Sequence, residues 1–530
     1  MSADTTQPRA FPIVAPPPII NPWIIAMAVM LSTFMEVLDT TVVNVALPHI
    51  AGSVSATEDE ATWALTSYLV ANAIILPMSG WLAQYFGRKR LLLASTIGFT
   101  VSSALCGFAP NLSLLILFRI MQGLCGGPLQ PLSQAILLES FKPEDRGKAM
   151  GFWGLGIVVA PVLGPVLGGW LTDSYSWRWI FYINIPIGIV SVIMAKLYIF
   201  DPPYMKRRAG GIDVWGIGML ALGIGALQIV LDKGQQEDWF GSNFIILLAV
   251  ISVVSLAAFI FRSLKIKNPI VNLRVFKERT YATGVFLMTV LGFVLYGSLV
   301  LLPVWLQTLL GYPALAAGIA MSPRGLGAML GMPFVGMLIG RYDARKFLAA
   351  GLLIASLTLF RFSQLSADVG FWDLFWPQFI QGISLSLLFV PLTTITMNRI
   401  SKENMGNATS LFNLLRNIGG SVGIAGVVTL FARRQQTFIN MLGSHVTPYS
   451  PQTQAMNHGL QSAFQAGGSD PTTASHQAYA GLFGMVQRQA VMLAFLDVFQ
   501  VLAIMFLAII PLIFFMKRPG KAGSSDISMH

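Results

Sequence analysis

The feature that most constrains this chain is a recurrence: fourteen runs of predominantly apolar residues, most about as long as a bilayer is thick, divided by mostly short polar connections. A hydrocarbon core about 30 Å thick takes about 20 residues of helix to cross. Inside it, each helical backbone group must find its partner within its own segment. The runs therefore predict spans near 23–47, 62–82, 91–108, 113–137, 148–171, 178–200, 213–232, 242–262, 282–309, 314–340, 347–365, 373–397, 406–430 and 492–516. With 55% hydrophobic and only 11% charged residues, the chain has too few charges to cover a water-soluble surface. The expected fold class is all-α integral membrane.

Lys and Arg concentrate in alternate connections. With a cytoplasmic N-terminus, 24 of the 34 fall inside, including Arg9, Arg88 to Arg90, Lys206 to Arg208, six between Arg262 and Arg279, and Lys517, Arg518 and Lys521. Outside lie Lys233, Arg433, Arg434 and Arg488, while Arg119, Arg178, Lys196, Arg324, Arg361 and Arg416 fall within apolar runs. This bias predicts that both termini are cytoplasmic. The net charge of +11 is thus a topology signal and not a nucleic-acid footprint. The segment before Trp23 lacks the pattern of a cleavable leader, so the first helix is expected to be its own insertion signal. Cys106 and Cys125 lie in apolar runs and offer neither a disulfide framework nor paired metal ligands. There is no phosphate-cradling or zinc-protease motif. No metal, no cofactor and no enzymatic activity are expected.

The chain also repeats. Gly80 to Arg90, after the second run, is echoed by Gly336 to Lys346 after the tenth, at an offset of 256. Gln122-Gly123 is echoed by Gln381-Gly382, and Gly147-Lys148-Ala149 by Gly406-Asn407-Ala408, both at 259. The near-common offset predicts two six-helix bundles, 23–200 and 282–516, joined by a linker at 201–281 that carries two extra helices. Tails at 1–22 and 517–530 complete the division. Repeated bundles that rock about a midplane site are how secondary transporters alternate access. Residues 431–490 are expected to form a long outer loop. Near its end Tyr479, Leu482, Phe483 and Val486 recur at spacings of three and four, the period of an amphipathic helix.

Ionisable side chains within a span are costly and mark function. Glu36 and Asp39, three apart, lie near one face of the first helix, and Arg119 in the fourth lies at a depth similar to Asp39. An Asp whose proton competes with a nearby Arg for its charge is a coupling switch; the alternative is a fixed structural ion pair. Glu36 could instead attract cationic substrates. Asn44, Gln122, Arg324 and Arg416 are candidates for a cavity wall. In the fifth run Gly156, Ala160, Gly164 and Gly168 recur every four residues, beside Pro161 and Pro165. This ribbon either packs tightly or gates, and a bulky residue at Gly164 is expected to block transport more than it lowers expression. The tenth run has its own small pair, Gly327 and Gly331. Gly87 permits a tight turn, and the adjoining Arg88, Lys89 and Arg90 either anchor to anionic lipid or make a gating contact.

Several of these segments resemble a known family. Leu38-Asp39-Thr40-Thr41-Val42-Val43-Asn44-Val45-Ala46-Leu47-Pro48 resembles the first-helix signature of the fourteen-spanner drug:proton antiporters, the EmrB/QacA type of the major facilitator superfamily. Gly80 to Arg90 resembles the superfamily's loop motif, with Gln84 where Asp is usual. Gly151, Ala160, Gly164-Pro165 and Gly168-Gly169 match the antiporter motif of the fifth helix, with Ala160 in place of a Gly. Trp177 to Pro186 resembles the run that opens the sixth helix, and Arg119 to Gly123 adds to the match. The resemblance implies a major facilitator fold of 14 transmembrane helices in the cell inner membrane. It implies export of drugs or other hydrophobic, amphipathic compounds, driven by the proton gradient. Asp39, Glu36 and Arg119 would serve proton coupling. Gly80, Gly87, Arg88, Lys89, Gly151, Gly164, Pro165, Gly168 and Gly169 would serve gating, with the fifth and tenth helices meeting across the halves. Expected partners are small amphipathic substrates, protons and membrane lipid; the segment 431–490 is expected to dock a periplasmic adaptor leading to an outer-membrane channel or to seal the outer mouth of the cavity, the alternative being a tethered spacer. An exporter of an endogenous metabolite, lipid or siderophore on the same fold is the alternative. A non-transporting membrane sensor or scaffold is the other class, and the buried charges and dual repeat argue against it.

Overall fold

The computed structural model describes residues 21–201, 213–266, 269–366 and 369–516. Save for Asn21 and Pro22, the expected tails at 1–22 and 517–530 lie outside the described residues, as do Arg9, Lys206, Arg207, Arg208, Lys267, Lys517, Arg518 and Lys521.

Among the described residues every regular element is helical. In chain order they are α1 (Pro22–Ser53), α2 (Asp59–Phe86), α3 (Arg88–Phe108), α4 (Leu112–Ser140), α5 (Arg146–Ser174), α6 (Trp179–Tyr198), α7 (Val214–Lys233), α8 (Asn243–Lys265), α9 (Arg279–Thr308), α10 (Ala314–Leu338), α11 (Ala344–Phe362), α12 (Phe371–Met397), α13 (Lys402–Gly443), α14 (Pro451–Ala466) and α15 (Pro471–Phe515). Twelve of them, all but α10, α11 and α14, are long and apolar enough to cross a membrane. α10 and α11 stand at the tenth and eleventh expected runs and pack among the twelve.

Local chemistry sets where the helices begin and bend. The side chains of Asn21 and Asn111 accept from the backbone N–H of Trp23 and Leu114, at 3.0 Å each, and Asp213 and Asp343 cap α7 and α11 in the same way. α2 tightens into a 3-10 turn at Leu76–Met78 around Pro77, and α4 is interrupted beside Pro128, because proline brings no N–H to the ladder. Gly87 joins α2 to α3 at φ 92, in the left-handed region that side chains avoid.

The sequence repeat has become a repeat of contacts. In the first bundle α1 packs on α5, α2 on α4, and α3 on α4 and α6. In the second α9 packs on α13, α10 on α12, and α11 on α12 and α15. The seams correspond as well: α5 lies on α10 and α12 as α13 lies on α2 and α4. The inserted α7 and α8 pack on each other, and α7 rests against α2 and α13 outside that seam. Gln228 of α7 donates to Ser421 of α13 at 2.8 Å. α8 turns Leu247, Val253 and Val254 outward, an apolar surface suited to lipid.

At the end bearing the basic connections the halves meet backbone to backbone. A Cβ on Gly80 would lie 2.6 Å from the Asn407 nitrogen, and one on Gly147 would lie 3.0 Å from the Gly336 carbonyl oxygen. Gly80 N donates to Ser410 Oγ and Gln84 Nε2 to the Glu403 carbonyl, both at 3.1 Å. Gln84 thus bridges the halves although it is not the acid usual in this motif.

α5 and α10 do pack together across the halves, but not through the small-residue ribbons. Gly156, Gly164 and Gly168 face α1, and a Cβ on Gly164 would lie 2.1 Å from Thr41 Oγ1. Gly327 and Gly331 likewise face α12, where Phe379 O and Ser386 Oγ would be 2.0 and 2.7 Å away. The close approach of α5 to α10 is made by Gly147, Gly151 and Gly325: a Cβ on Gly151 would lie 2.7 Å from Met332 O. Gly169 has only Val45 within reach, at 4.0 Å. Spacing says which residues share a face, not which neighbour that face meets. Gly164→Leu is therefore expected to lower folded yield and transport together, since overpacking inside one bundle costs about 1–3 kcal/mol. Membrane immunoblots and thermal melting of the purified variant check this; full expression with transport abolished would contradict it.

The segment 431–490 is not a loop. α13 continues to Gly443, α15 starts at Pro471, and α14 lies along α15. No proline or glycine interrupts 431–442. Ser450-Pro451 and Asp470-Pro471 each supply an N-cap followed by proline at the first helical position. The periodic set Tyr479, Leu482, Phe483 and Val486 belongs to α15 itself, with Leu482 buried and Tyr479 and Phe483 exposed.

Candidate functional site

Asp39 and Arg119 come together at the centre of the first bundle, 1% and 0% exposed. Arg119 Nη1 donates to Asp39 Oδ2 at 2.6 Å, and Asp39 Oδ1 accepts from Gln122 Nε2 (2.9 Å) and Asn184 Nδ2 (2.8 Å). Arg119 and Gln122 are three apart on α4 and so share a face, which lets Arg119 Nη1 also reach Gln122 Oε1 at 2.8 Å. Arg119 Nε donates to the Ala64 carbonyl at 3.0 Å, and its guanidinium carbon lies 4.2 Å from the centre of the Tyr68 ring. Nη2 has no hydrogen-bond partner among the described residues. Asn184 is oriented by Ser103, whose hydroxyl accepts from its amide at 3.0 Å and donates to the Phe181 carbonyl at 2.9 Å. The arrangement is a desolvated ion pair held among four helices, α1, α2, α4 and α6. A proton on Asp39 would cancel its charge and leave the guanidinium buried without a counter-ion, a change worth several kcal/mol.

Glu36 does not join this cluster. One turn earlier on α1 it accepts from Asn72 Nδ2 at 3.1 Å, Tyr68 Oη at 3.4 Å and Gln130 Nε2 at 2.5 Å. Gln130 Oε1, on the same side-chain amide, in turn accepts from Arg416 of the second bundle. A carboxylate of one half is thereby tied through a single amide to a guanidinium of the other. Asn413 donating to Gln134 (2.7 Å) and Thr409 to the Pro131 carbonyl (3.0 Å) close the same α4–α13 seam. Tyr68 connects the two clusters, with its hydroxyl on Glu36 and its ring under Arg119.

Of the cavity candidates, Gln122 belongs to the Asp39 cluster and Asn44 is exposed further along α1. Arg324 and Arg416 both line a cleft between the halves whose atom-free space, counting its open mouth, is about 590 Å³. Arg324 donates to Gln378 Oε1 (3.0 Å) and Gln381 Oε1 (2.5 Å) of α12. At the repeat offset of 259, Gln381 corresponds to Gln122, Gln378 to Arg119 and Ser298 to Asp39. Ser298, Gln381 and Arg324 line one pocket, so the second bundle keeps the position but carries no acid there.

The loop-motif residues divide. Arg88 pairs with Glu139 in the first bundle, and Lys89 N donates to Asp201 Oδ1 at 2.8 Å while its Nζ donates to the Lys196 carbonyl at 2.7 Å. Gly80 and Gln84 of the same motif touch the second bundle. Pro165 lies within α5 one turn beyond Pro161. Tyr68, Asn72, Gln130 and Asn184 escaped the sequence reading, which singled out buried charges and, of the uncharged polar residues, only Asn44 and Gln122. Each is an uncharged polar side chain inside an apolar run, and the cost that singles out buried charges applies to unpaired amides and hydroxyls as well.

The model for the Major Facilitator Superfamily matches residues 29–424. The chain is 41% identical to the multidrug export protein EmrB of Haemophilus influenzae, over 94% of this chain and 96% of that one. It is 39% identical to the fatty acid resistance protein FarB of Neisseria gonorrhoeae (94% and 97% covered) and 36% identical to EmrB of Escherichia coli K12 (96% and 98%). Among solved structures it is similar to the human organic anion transporter MFSD10, at a TM-score of 0.56 and 12% identity, with 92% of this chain and all of that one covered, a likeness of fold alone. A two-bundle helical fold, a buried Asp39–Arg119 pair and this breadth of similarity agree: the chain belongs to the major facilitator superfamily and, within it, to the group of the EmrB multidrug export proteins.

Proposed function

We propose that this protein is a proton-coupled antiporter that exports drugs or other amphipathic, hydrophobic compounds across the cell inner membrane by alternating access. The carrying observation is the ion pair of Asp39 and Arg119, desolvated within one of two bundles that share a packing pattern. Protonation of Asp39 weakens the pair, frees Arg119 and changes how α1 and α4 pack, and release of the proton restores it. Glu36 carries the change toward the other half through Gln130 and Arg416. The proton gradient is the energy source and no cofactor takes part. The relatives named for multidrug export and fatty acid resistance support this substrate class.

In this reading the chain crosses the membrane fourteen times, α10 and α11 included, with both termini and the basic connections in the cytoplasm. The bundle is then closed on its cytoplasmic side, where Gly80 meets Asn407 and Gly147 meets Gly336. Everted vesicles test the function: an imposed proton gradient should drive ethidium accumulation that an uncoupler collapses. Accumulation that ignores the gradient would rule the antiporter out.

The α13–α15 extension with α14 lies outside under the same topology. Its polar, charge-poor composition suits an aqueous compartment, and we assign it to docking a periplasmic adaptor that leads to an outer-membrane channel. Replacing residues 444–469 with a short Gly/Ser linker should leave vesicle transport within about twofold of the wild type while abolishing resistance in whole cells, since a surface segment removed from the packed bundle carries partner contacts and not the transport core. Unchanged whole-cell resistance would count decisively against docking.

A further inference from the structure

We propose that the cleft between the halves holds the head group of an amphipathic monoanion, a carboxylate, phenolate or sulfonate, between Arg324 and Arg416. The proposal rests on the export reading and names the substrate class for it. Both guanidiniums are nearly enclosed, 4% and 3% exposed, and both line the same cleft. Neither forms an ion pair with a carboxylate among the described residues. Each is instead held by neutral amides: Arg324 by Gln378 and Gln381, Arg416 by Gln130 and Asn417. On each the remaining nitrogen, Nη1, is buried with no hydrogen-bond partner. Arg119, by contrast, is neutralised by Asp39 at 2.6 Å. Glu36 is hydrogen-bonded to the same Gln130 that accepts from Arg416 but forms no ion pair with it.

An arginine cannot shed its proton to escape such a site, so the cleft wall keeps two positive charges and two unused donors. An anion supplies what both lack, and a guanidinium matches a planar oxyanion in geometry as well as charge. Apart from Tyr296, the rest of the wall is apolar, with Ile157 and Pro161 from α5, Leu291 and Leu299 from α9, and Phe389 from α12. Those surfaces exclude a highly charged or strongly hydrated ligand and fit a hydrocarbon or aromatic body. The head group meets only the second bundle, through α10 and α13, while the body also touches α5 of the first. A bound ligand of this kind therefore contacts both halves, as a cargo carried by rocking bundles must.

The test uses the full-length protein in phosphatidylcholine nanodiscs, with empty discs as blank and no proton gradient. Binding of radiolabelled dodecanoate is competed with dodecanol and with dodecyltrimethylammonium. Dodecanoate should bind about tenfold or more tightly than either, the value of a charge-assisted hydrogen bond in a desolvated site. Arg324→Gln and Arg416→Gln should each weaken dodecanoate about tenfold and leave dodecanol unchanged, and Arg324→Lys should recover part of the loss. Discs containing phosphatidylglycerol separate the two sources of such an anion: displacement of dodecanoate identifies a membrane lipid as occupant, and no displacement identifies a free amphipath. Equal affinity of the wild type for all three head groups overturns the proposal without reference to any variant, as does dodecanoate binding that survives both Gln substitutions. Gradient-driven transport of dodecanesulfonate, which carries a head group of the proposed class, is read on the same protein in proteoliposomes. Loss of anion preference with transport intact sinks this inference alone; anion preference without transport sinks the antiporter reading alone.

Discussion

Asp39→Asn is expected to reduce gradient-driven transport to background while the protein still inserts and purifies. The substitution keeps the size of the side chain and the oxygen that Arg119 contacts, but removes the charge that a proton must cancel. Arg119 is then buried without a counter-ion, and removing one partner of a buried pair costs about 3–5 kcal/mol. Loss of transport could thus come from lost coupling or from a weakened fold. The double variant Asp39→Asn/Arg119→Gln separates them: with both charges gone the buried cation no longer has to be solvated, so most of the thermal stability should return. Transport should not return, because no titrating carboxylate remains at this position. The measurements are melting of the detergent-solubilised protein and uptake into proteoliposomes with an imposed gradient. Transport by the double variant near the wild-type rate would falsify the coupling role and leave Asp39–Arg119 as a structural pair.

The second large effect is expected at the seam. Gly80→Leu should bias the protein against the closed arrangement at the basic end of the bundle. A Cβ at this position would meet the backbone of Asn407 and Gly406 at 2.6 to 2.7 Å, and backbone cannot swing aside as a side-chain tip can. Overpacking of about 1–3 kcal/mol, borne only by the closed arrangement, shifts its population about 5–150-fold. Spin labels at the exposed positions Arg90 and Arg341, in the two halves at this end, should report a longer separation, and transport should fall in proportion. Gly164→Leu is the internal comparison, because its clash with Thr41 lies within one bundle and persists whichever way the halves rock. If the label distance in Gly80→Leu matches the wild type, the seam is not a gate.

Legible in the sequence were the apolar runs, the doubling of the bundle, and an Asp39 and an Arg119 buried at similar depth. Each rests on a property local to the chain. A run crosses hydrocarbon only as a helix of set length, and depth along a helix follows from counting residues, so two buried charges of opposite sign at one depth are readable without coordinates. Rotation of a helix about its axis, and the identity of its neighbour, are not local. The four-residue ribbon on α5 marked a face correctly, yet only the assembled bundle decided that it meets α1, while Gly147 and Gly151 meet α10. Glu36 sits three residues from Asp39 but turns to Asn72 and Gln130, since its partners come from α2 and α4 and not from its own helix. The link from Glu36 through Gln130 to Arg416 spans 286 residues between its last two members. The segment 431–490 read as a loop because it is polar, but polarity reports exposure to water and not irregular backbone; two capped starts and the packing of α14 on α15 make it helical. Tertiary structure alone also left Nη1 of Arg324 and of Arg416 without acceptors on one cleft, because a side chain's missing partner is defined only once every neighbour is in place.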